Sequence, residues 1–250
     1  MAWVETSSAH FTARHDDRDA EDASEVLDLL EQAREELSEL LEPPGEEIAA
    51  VVHSNFAALS LSQPILPVVR AIAAPASRRY LAGWPGTAEI HLLAPRVLAS
   101  RASSVPGSLE MLLLAPAALY AQLACGRLNP ALPPPLRPRS ALATARNAWI
   151  VAGCGQWLSG QTAHARPAIA RRLKEGGRPA FPPSASDALL LGGSVFDLLA
   201  TEQGSEAAVR LAVTAPADDP HETIARAFPG RSVTDTEGVW RSHLARLAGA

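Results

Sequence analysis

Every segment with strand character in this chain lies before residue 95, and beyond about Pro106 the apolar residues recur only at helical spacing. Strands and helices are therefore separated along the chain, not alternated. That layout points to an α+β fold with a small N-terminal mixed sheet and a mostly helical C-terminal half, and argues against a βαβ array. The strand-like segments are 2–6, 10–15, 47–53 and 88–94, with Ser7 and Ser8 suited to a turn between the first two. Between them, Ala23, Val26, Leu27, Leu30, Ala33, Leu37 and Leu41 repeat at three- and four-residue steps, which predicts a helix over 19–41 stopped by Pro43-Pro44-Gly45. Residues 54–86, interrupted by four prolines, read as irregular with some helix.

A long helix is expected over 106–126. Pro116 falls inside it, where it would remove one backbone hydrogen bond and clash with the carbonyl four residues earlier, so the helix must kink or begin afresh there. Residues 130–138, PALPPPLRP, are too proline-rich for a helix or a central strand. Helical patterns resume near 140–160, 163–175, 184–203, 205–213, 219–227 and 235–248. The expected organisation is an N-terminal α+β part over 1–128, a connector over 129–138 and a helical part over 139–250, packed as one unit.

Composition excludes several classes. A hydrophobic content of 47% with 20% charged residues is globular, not disordered. Fourteen of the 27 acids lie in residues 16–47, mostly on the polar face of the first helix. The basic residues elsewhere are scattered and not interleaved with aromatics, so no nucleic-acid partner is expected. No apolar run approaches the roughly 18–20 residues that cross a bilayer, and the N-terminus lacks a basic segment leading into an apolar one, which makes the cytoplasm the expected location. Cys125 and Cys154 are isolated, with no CxxC pair for a metal or a redox centre.

The most telling local pattern spans residues 111–160. MLLLAPAALYAQLACG, followed after the spacer by NAWIVAGCGQWLSG, resembles the two active-site helices of the gluzincins, "L-x-H-E-L-x-H" and "W-x-x-E-G-x-A-E-Y-L-S-G". Leu114, Trp149, Gly153, Trp157 and Leu158-Ser159-Gly160 keep the scaffold of that pattern. Weaker likenesses accompany it in the same order: His10–His15, Leu30–Ala33, Ile48–His53, Ala88–Ala94 as the edge strand bordering the cleft, and Trp240–Leu244. The chain thus resembles the peptidase MA-like, zincin-like family over most of its length.

What the resemblance implies about chemistry is negative. Such enzymes need two histidines at i and i+4 and an acid from the next helix to hold zinc, with a glutamate as general base. The overlay puts the first His on Pro116, the catalytic Glu on Ala117, the second His on Tyr120 and the third ligand on Ala152. The acid that orients a ligand histidine falls on Gln156. None of these positions carries a metal-binding group suited to zinc, so no metal and no cofactor is expected.

Two polar residues remain as candidate catalytic groups: His91 on the strand expected to border the cleft, and Tyr120 on the former metal face. The structural role is favoured for both. Cys125 and Cys154 should point away from the cleft, and Gly192-Gly193-Ser194 reads as a close packing point, since no nucleophile elbow, phosphate loop or GxGxxG is present. The expected function is a catalytically inactive, metal-free peptidase-like protein, its former cleft filled or binding a small apolar molecule or peptide. One alternative is an enzyme with metal-independent chemistry using His91, Tyr120 and Gln156. Another is an interaction module, with a protein partner or a second copy held through helix 19–41 and its Glu31, Glu35 and Glu39.

Overall fold

The computed structural model describes residues 3–45, 47–132, 141–175, 177–217 and 219–249. In chain order it contains β1 (Trp3–Ser7), β2 (Phe11–Asp16), a short 3-10 turn (Asp17–Asp19), α1 (Ala20–Ser38), β3 (Ile48–His53), α2 (Phe56–Ser62), α3 (Leu66–Ile72), α4 (Pro75–Arg78), β4 (Gly83–Pro85) and β5 (Glu89–Leu93). Helices follow: α5 (Pro95–Ser100), α6 (Ser108–Leu113), α7 (Ala115–Leu128), α8 (Ala141–Arg146), α9 (Ala148–Leu158), α10 (Gln161–His164) and α11 (Arg166–Glu175). The last four are α12 (Ala188–Gln203), α13 (Ser205–Thr214), α14 (Pro220–Ala227) and α15 (Val233–Gly249). The α+β layout read from the sequence is the observed one.

The sheet is mixed, in the order β1-β2-β3-β5-β4. β1 and β4 run antiparallel to their neighbours, whereas β2, β3 and β5 are parallel. Residue alternation gives the sheet two faces. Phe11, Ala13, Ile48, Ala50, Val52, Ile90 and Leu92 join the main core with α1 and α7, and Leu93 on the opposite face joins a second apolar cluster with Leu59 of α2 and Leu66 of α3.

Two elements differ from expectation. The outer strand beside β5 is Gly83–Pro85, within a stretch read as irregular, so 88–94 is an inner strand and not the sheet edge. Pro85 is tolerated because an edge strand can leave one amide position unpaired. The helix expected over 106–126 divides at Leu114 into α6 and α7, and Pro116 sits in the first turn of α7, where its missing amide hydrogen has no intrahelical partner to lose.

Among the described residues the main core cluster draws on both the N- and C-terminal parts, from Phe11 to Leu247. Much of the expected connector, 133–138, lies outside the described residues. At its start, Asn129 Nδ2 donates to the carbonyls of Ala212 (3.1 Å) and Ala215 (3.0 Å), fastening the end of α7 to α13. Glu31, on the acidic face of α1, is engaged within the fold. It accepts from Ser8 Oγ (2.6 Å) and His10 N (2.7 Å) and so holds the β1–β2 turn against the helix. Among the described residues no helix is long and apolar enough to cross a membrane.

Helix α9 lies between α7 and α12 and touches both through glycines. A Cβ on Gly153 would stand 2.6 Å from the Gly192 carbonyl carbon of α12, and one on Gly155 would stand 2.5 Å from the Ala118 carbonyl oxygen of α7. Both obstacles are backbone, which cannot swing aside. Gly153→Ala should therefore lower the unfolding free energy in urea by about 1–3 kcal/mol. Gly238→Ala, on an exposed stretch of α15 with nothing within 4 Å of the new methyl, should raise it by about 0.5–1 kcal/mol.

Candidate functional site

The sheet's short edge strand and the helices packed beside it leave a cavity of about 500 Å³ between them. Its walls follow from local sequence. On α7 the residues facing it are Ala115, Ala118, Leu119 and Gln122, an i, i+3, i+4, i+7 set. α9 supplies Ala148, Val151, Ala152 and Gln156, and the edge supplies Leu81, Gly83 and Trp84. α3, begun by Pro67 in its first turn, adds Val68, Val69 and Ile72, with Ile65 just before it. The cavity exists because the α7 and α9 walls carry alanines where long side chains would fill the space.

The residues singled out from the sequence divide into two groups. Ala152 and Gln156 line the cavity. Pro116, Ala117, Tyr120 and His91 do not, which corrects their placement in one cleft. Pro116 and Tyr120 each stand one residue, about 100° of helix rotation, beyond the cavity-facing pair Ala115 and Leu119. Tyr120 is fully buried against the sheet instead, its ring edge-on to Phe11 at 5.3 Å between centroids. Burial raises the pKa of its hydroxyl, partly offset by nearby Arg34.

Gln156 is committed to packing. Its Nε2 donates to the Ala188 carbonyl (2.9 Å) and its Oε1 accepts from Gly193 N (2.8 Å), so both ends of the amide are held by α12. A Cβ on Gly193 would come within 2.9 Å of Gln156 Cβ. Ser194 beside it donates to Leu191 O (2.6 Å) and accepts from Trp240 Nε1 (2.9 Å), the bonds of a core hydroxyl. Gly192-Gly193-Ser194 is thus a close packing point. Cys125 and Cys154 are buried free thiols outside the cavity lining, and a hydrogen bond with the Cys125 thiol, followed by burial, pushes Cys154 well above the usual thiol range.

His91 belongs to a different cluster, on the sheet face away from α7. Its Nδ1 is 3.2 Å from His53 Nε2 and its Nε2 is 3.1 Å from Glu89 Oε2, while Arg14 Nη1 reaches Glu89 Oε1 at 3.2 Å. With a proton on Nε2, His91 would donate to the Glu89 carboxyl oxygen and accept at Nδ1 from His53 Nε2–H. The two ring planes lie within 18° of each other. Burial, with the neighbouring His91 as a smaller cause, lowers the His53 pKa to about 4; burial also lowers that of His91, against the opposing pull of Glu89.

Sequence reasoning missed the α3 and β4 walls of the cavity and the polar groups Gln122 and Thr144 on its α7 and α8 sides. A signal for α3 was present: Ile65, Val68, Val69 and Ile72 have helical spacing behind a proline suited to a first turn. Among the described residues no group of three His, Cys, Asp or Glu side chains could hold a metal ion. Comparison with protein-family models, with curated proteins and with solved structures finds no match for this chain.

Because the folded-state His53 pKa lies below its unfolded value, the unfolded chain takes up protons first as pH falls. Stability is full above about pH 6.5 and declines toward pH 4, by up to about 3 kcal/mol. Denaturant midpoints measured across that window should fall with pH, and His53→Gln should flatten the decline.

Proposed function

We propose that this chain is a metal-free relative of the zincin-like, peptidase MA-like proteins whose cleft serves as a binding pocket for a small apolar ligand and performs no peptidase chemistry. The observation that carries the reading is the open cavity of about 500 Å³ with mostly aliphatic and alanine walls, within the roughly 300–1,000 Å³ of ordinary small-molecule sites. The resemblance is supported by position. The space lies between an antiparallel edge strand and the paired helices α7 and α9, where that family has its cleft.

The zinc that the family resemblance implies does not fit these residues. The i and i+4 positions of α7 that face the cavity are Ala115 and Leu119, and the facing residue of α9 is Ala152. None has a donor atom, and a metal site needs three suitable donors in one place. The cavity also holds no His, Cys, Asp or Glu among its described lining residues, so it offers no strong general base or activated nucleophile of the usual kinds.

Two measurements on the purified protein test this reading. After incubation with zinc and desalting, metal content should stay far below one ion per chain; a stoichiometric ion would overturn it. The hydrocarbon dye diphenylhexatriene should bind saturably, and Ala152→Leu, which fills the α9 wall, should weaken that binding by at least about tenfold with no loss of thermal stability.

A further inference from the structure

Basic residues that lie apart in the sequence come together in the fold. Arg70 of α3, Arg79 just after α4 and Arg101 just after α5 meet where those helices join, beside the second apolar cluster. Arg101 Nη1 donates to the Leu81 carbonyl (2.8 Å) and its Nη2 to the Arg78 carbonyl (3.3 Å), while Arg79 Nη1 donates to the Arg101 carbonyl (2.7 Å). The Arg70 guanidinium carbon lies 4.5 Å from the centre of the Phe56 ring. All three side chains belong to half-buried residues, and none of them lines the cavity.

The bonds to carbonyls cap the ends of α4 and α5 and account for where Arg79 and Arg101 stand. They leave the charge unanswered. Among the described residues no carboxylate pairs with Arg70, Arg79 or Arg101. Burial, followed by the like charges of Arg70 and Arg79, lowers the Arg101 pKa to about 10. Three cations gathered partly out of water, with no opposite charge among them, are an unfavourable arrangement that an anion would relieve. Other cations close by are not available: Arg171, which acts on Tyr80 as Arg79 does, pairs with Glu175 (2.7 Å), and Arg78 Nε is closed off from solvent.

We propose that Arg70, Arg79 and Arg101 form a binding site for a phosphate group, carried either by a small molecule or by a lipid headgroup. A guanidinium offers a planar fork of N–H donors. Arg101 has given two of them to carbonyls, Arg79 one and Arg70 none, which leaves donors on all three. Charge and shape favour phosphate over carboxylate. A phosphate carries close to two negative charges at neutral pH, a better match for three cations than a single one. Its tetrahedral oxygens can also accept from several forks at once, whereas a carboxylate is filled by one bidentate arginine.

The test titrates the full chain with inorganic phosphate at pH 7.5, with ionic strength held constant by sodium chloride. Phosphate should raise the thermal unfolding midpoint along a saturable curve, and acetate should not. Arg101→Gln would also lose two bonds to carbonyls, so Arg70→Gln and Arg79→Gln carry the test. Each should weaken phosphate by at least about tenfold with an unchanged circular dichroism spectrum. Arg226→Gln, which removes an exposed arginine paired with Glu222, is the control for net charge and should bind phosphate as the parent does. Vesicles of phosphatidylcholine with and without phosphatidic acid separate the two sources. Cosedimentation that needs phosphatidic acid and is lost in both variants assigns a headgroup; no cosedimentation beside an intact phosphate response assigns a free phosphate, and both uphold the site. No saturable response to phosphate, an equal response to acetate, or equal weakening by Arg226→Gln would overturn it.

Discussion

The architecture depends on how closely α9 can approach the helices on either side. Gly153 meets Gly192 backbone to backbone, and Gly155 lies against the Ala118 carbonyl, so α9 is wedged between α12 and α7 with no Cβ at the two points of contact. Interiors are packed densely enough that such a wedge leaves the three helices little room to shift. Gln156, one residue beyond the second contact, adds two hydrogen bonds to the α12 backbone and prevents α9 from sliding along its axis.

The cavity is a by-product of the same wedge. With α9 held by its glycines, the alanines at 148 and 152 and those at 115 and 118 on α7 cannot close up on one another. Large-to-small positions in a rigid frame leave space; in a deformable one they collapse. The approach of β4 follows the same rule, since Gly83 lets the edge strand lie against both β5 and Leu119 of α7, where a Cβ would come within 2.7 Å of the Leu119 side chain. Glycine thus brings the backbones near and alanine keeps the interior empty.

Much of this was legible from the residues. The strands at 11–16, 48–53 and 89–93 and the amphipathic α1 follow from periodicities that solvent enforces on one face. The renewed helix start at Pro116 follows from the missing amide hydrogen. The rotation of α7 was not legible. Eleven of its residues are buried, so no polar face marks which side meets the cavity, and nothing in the sequence told Ala115 and Leu119, which line it, from Pro116 and Tyr120, which do not. β4 was hidden for a different reason: Gly83-Trp84-Pro85 is too short and too rich in turn residues to show alternation, and only pairing with β5 makes it a strand. The pairing of His53 with His91 is a diagonal neighbour relation across a parallel ladder, which no single-strand pattern contains.

Gln156 has a consequence for which side chains position 156 can hold as well as for its packing. Its amide donates at one end and accepts at the other, to a carbonyl and an amide hydrogen of α12. A carboxylate at that position could accept from Gly193 but would turn a second oxygen toward the Ala188 carbonyl, two acceptors face to face in a buried place. An acid could enter position 156 without moving α12 only in its protonated form, whose O–H would take over the donor role of the amide. The contact thus works as a charge filter: at this point the backbone of α12 accepts a neutral donor and acceptor pair and refuses an ionised group.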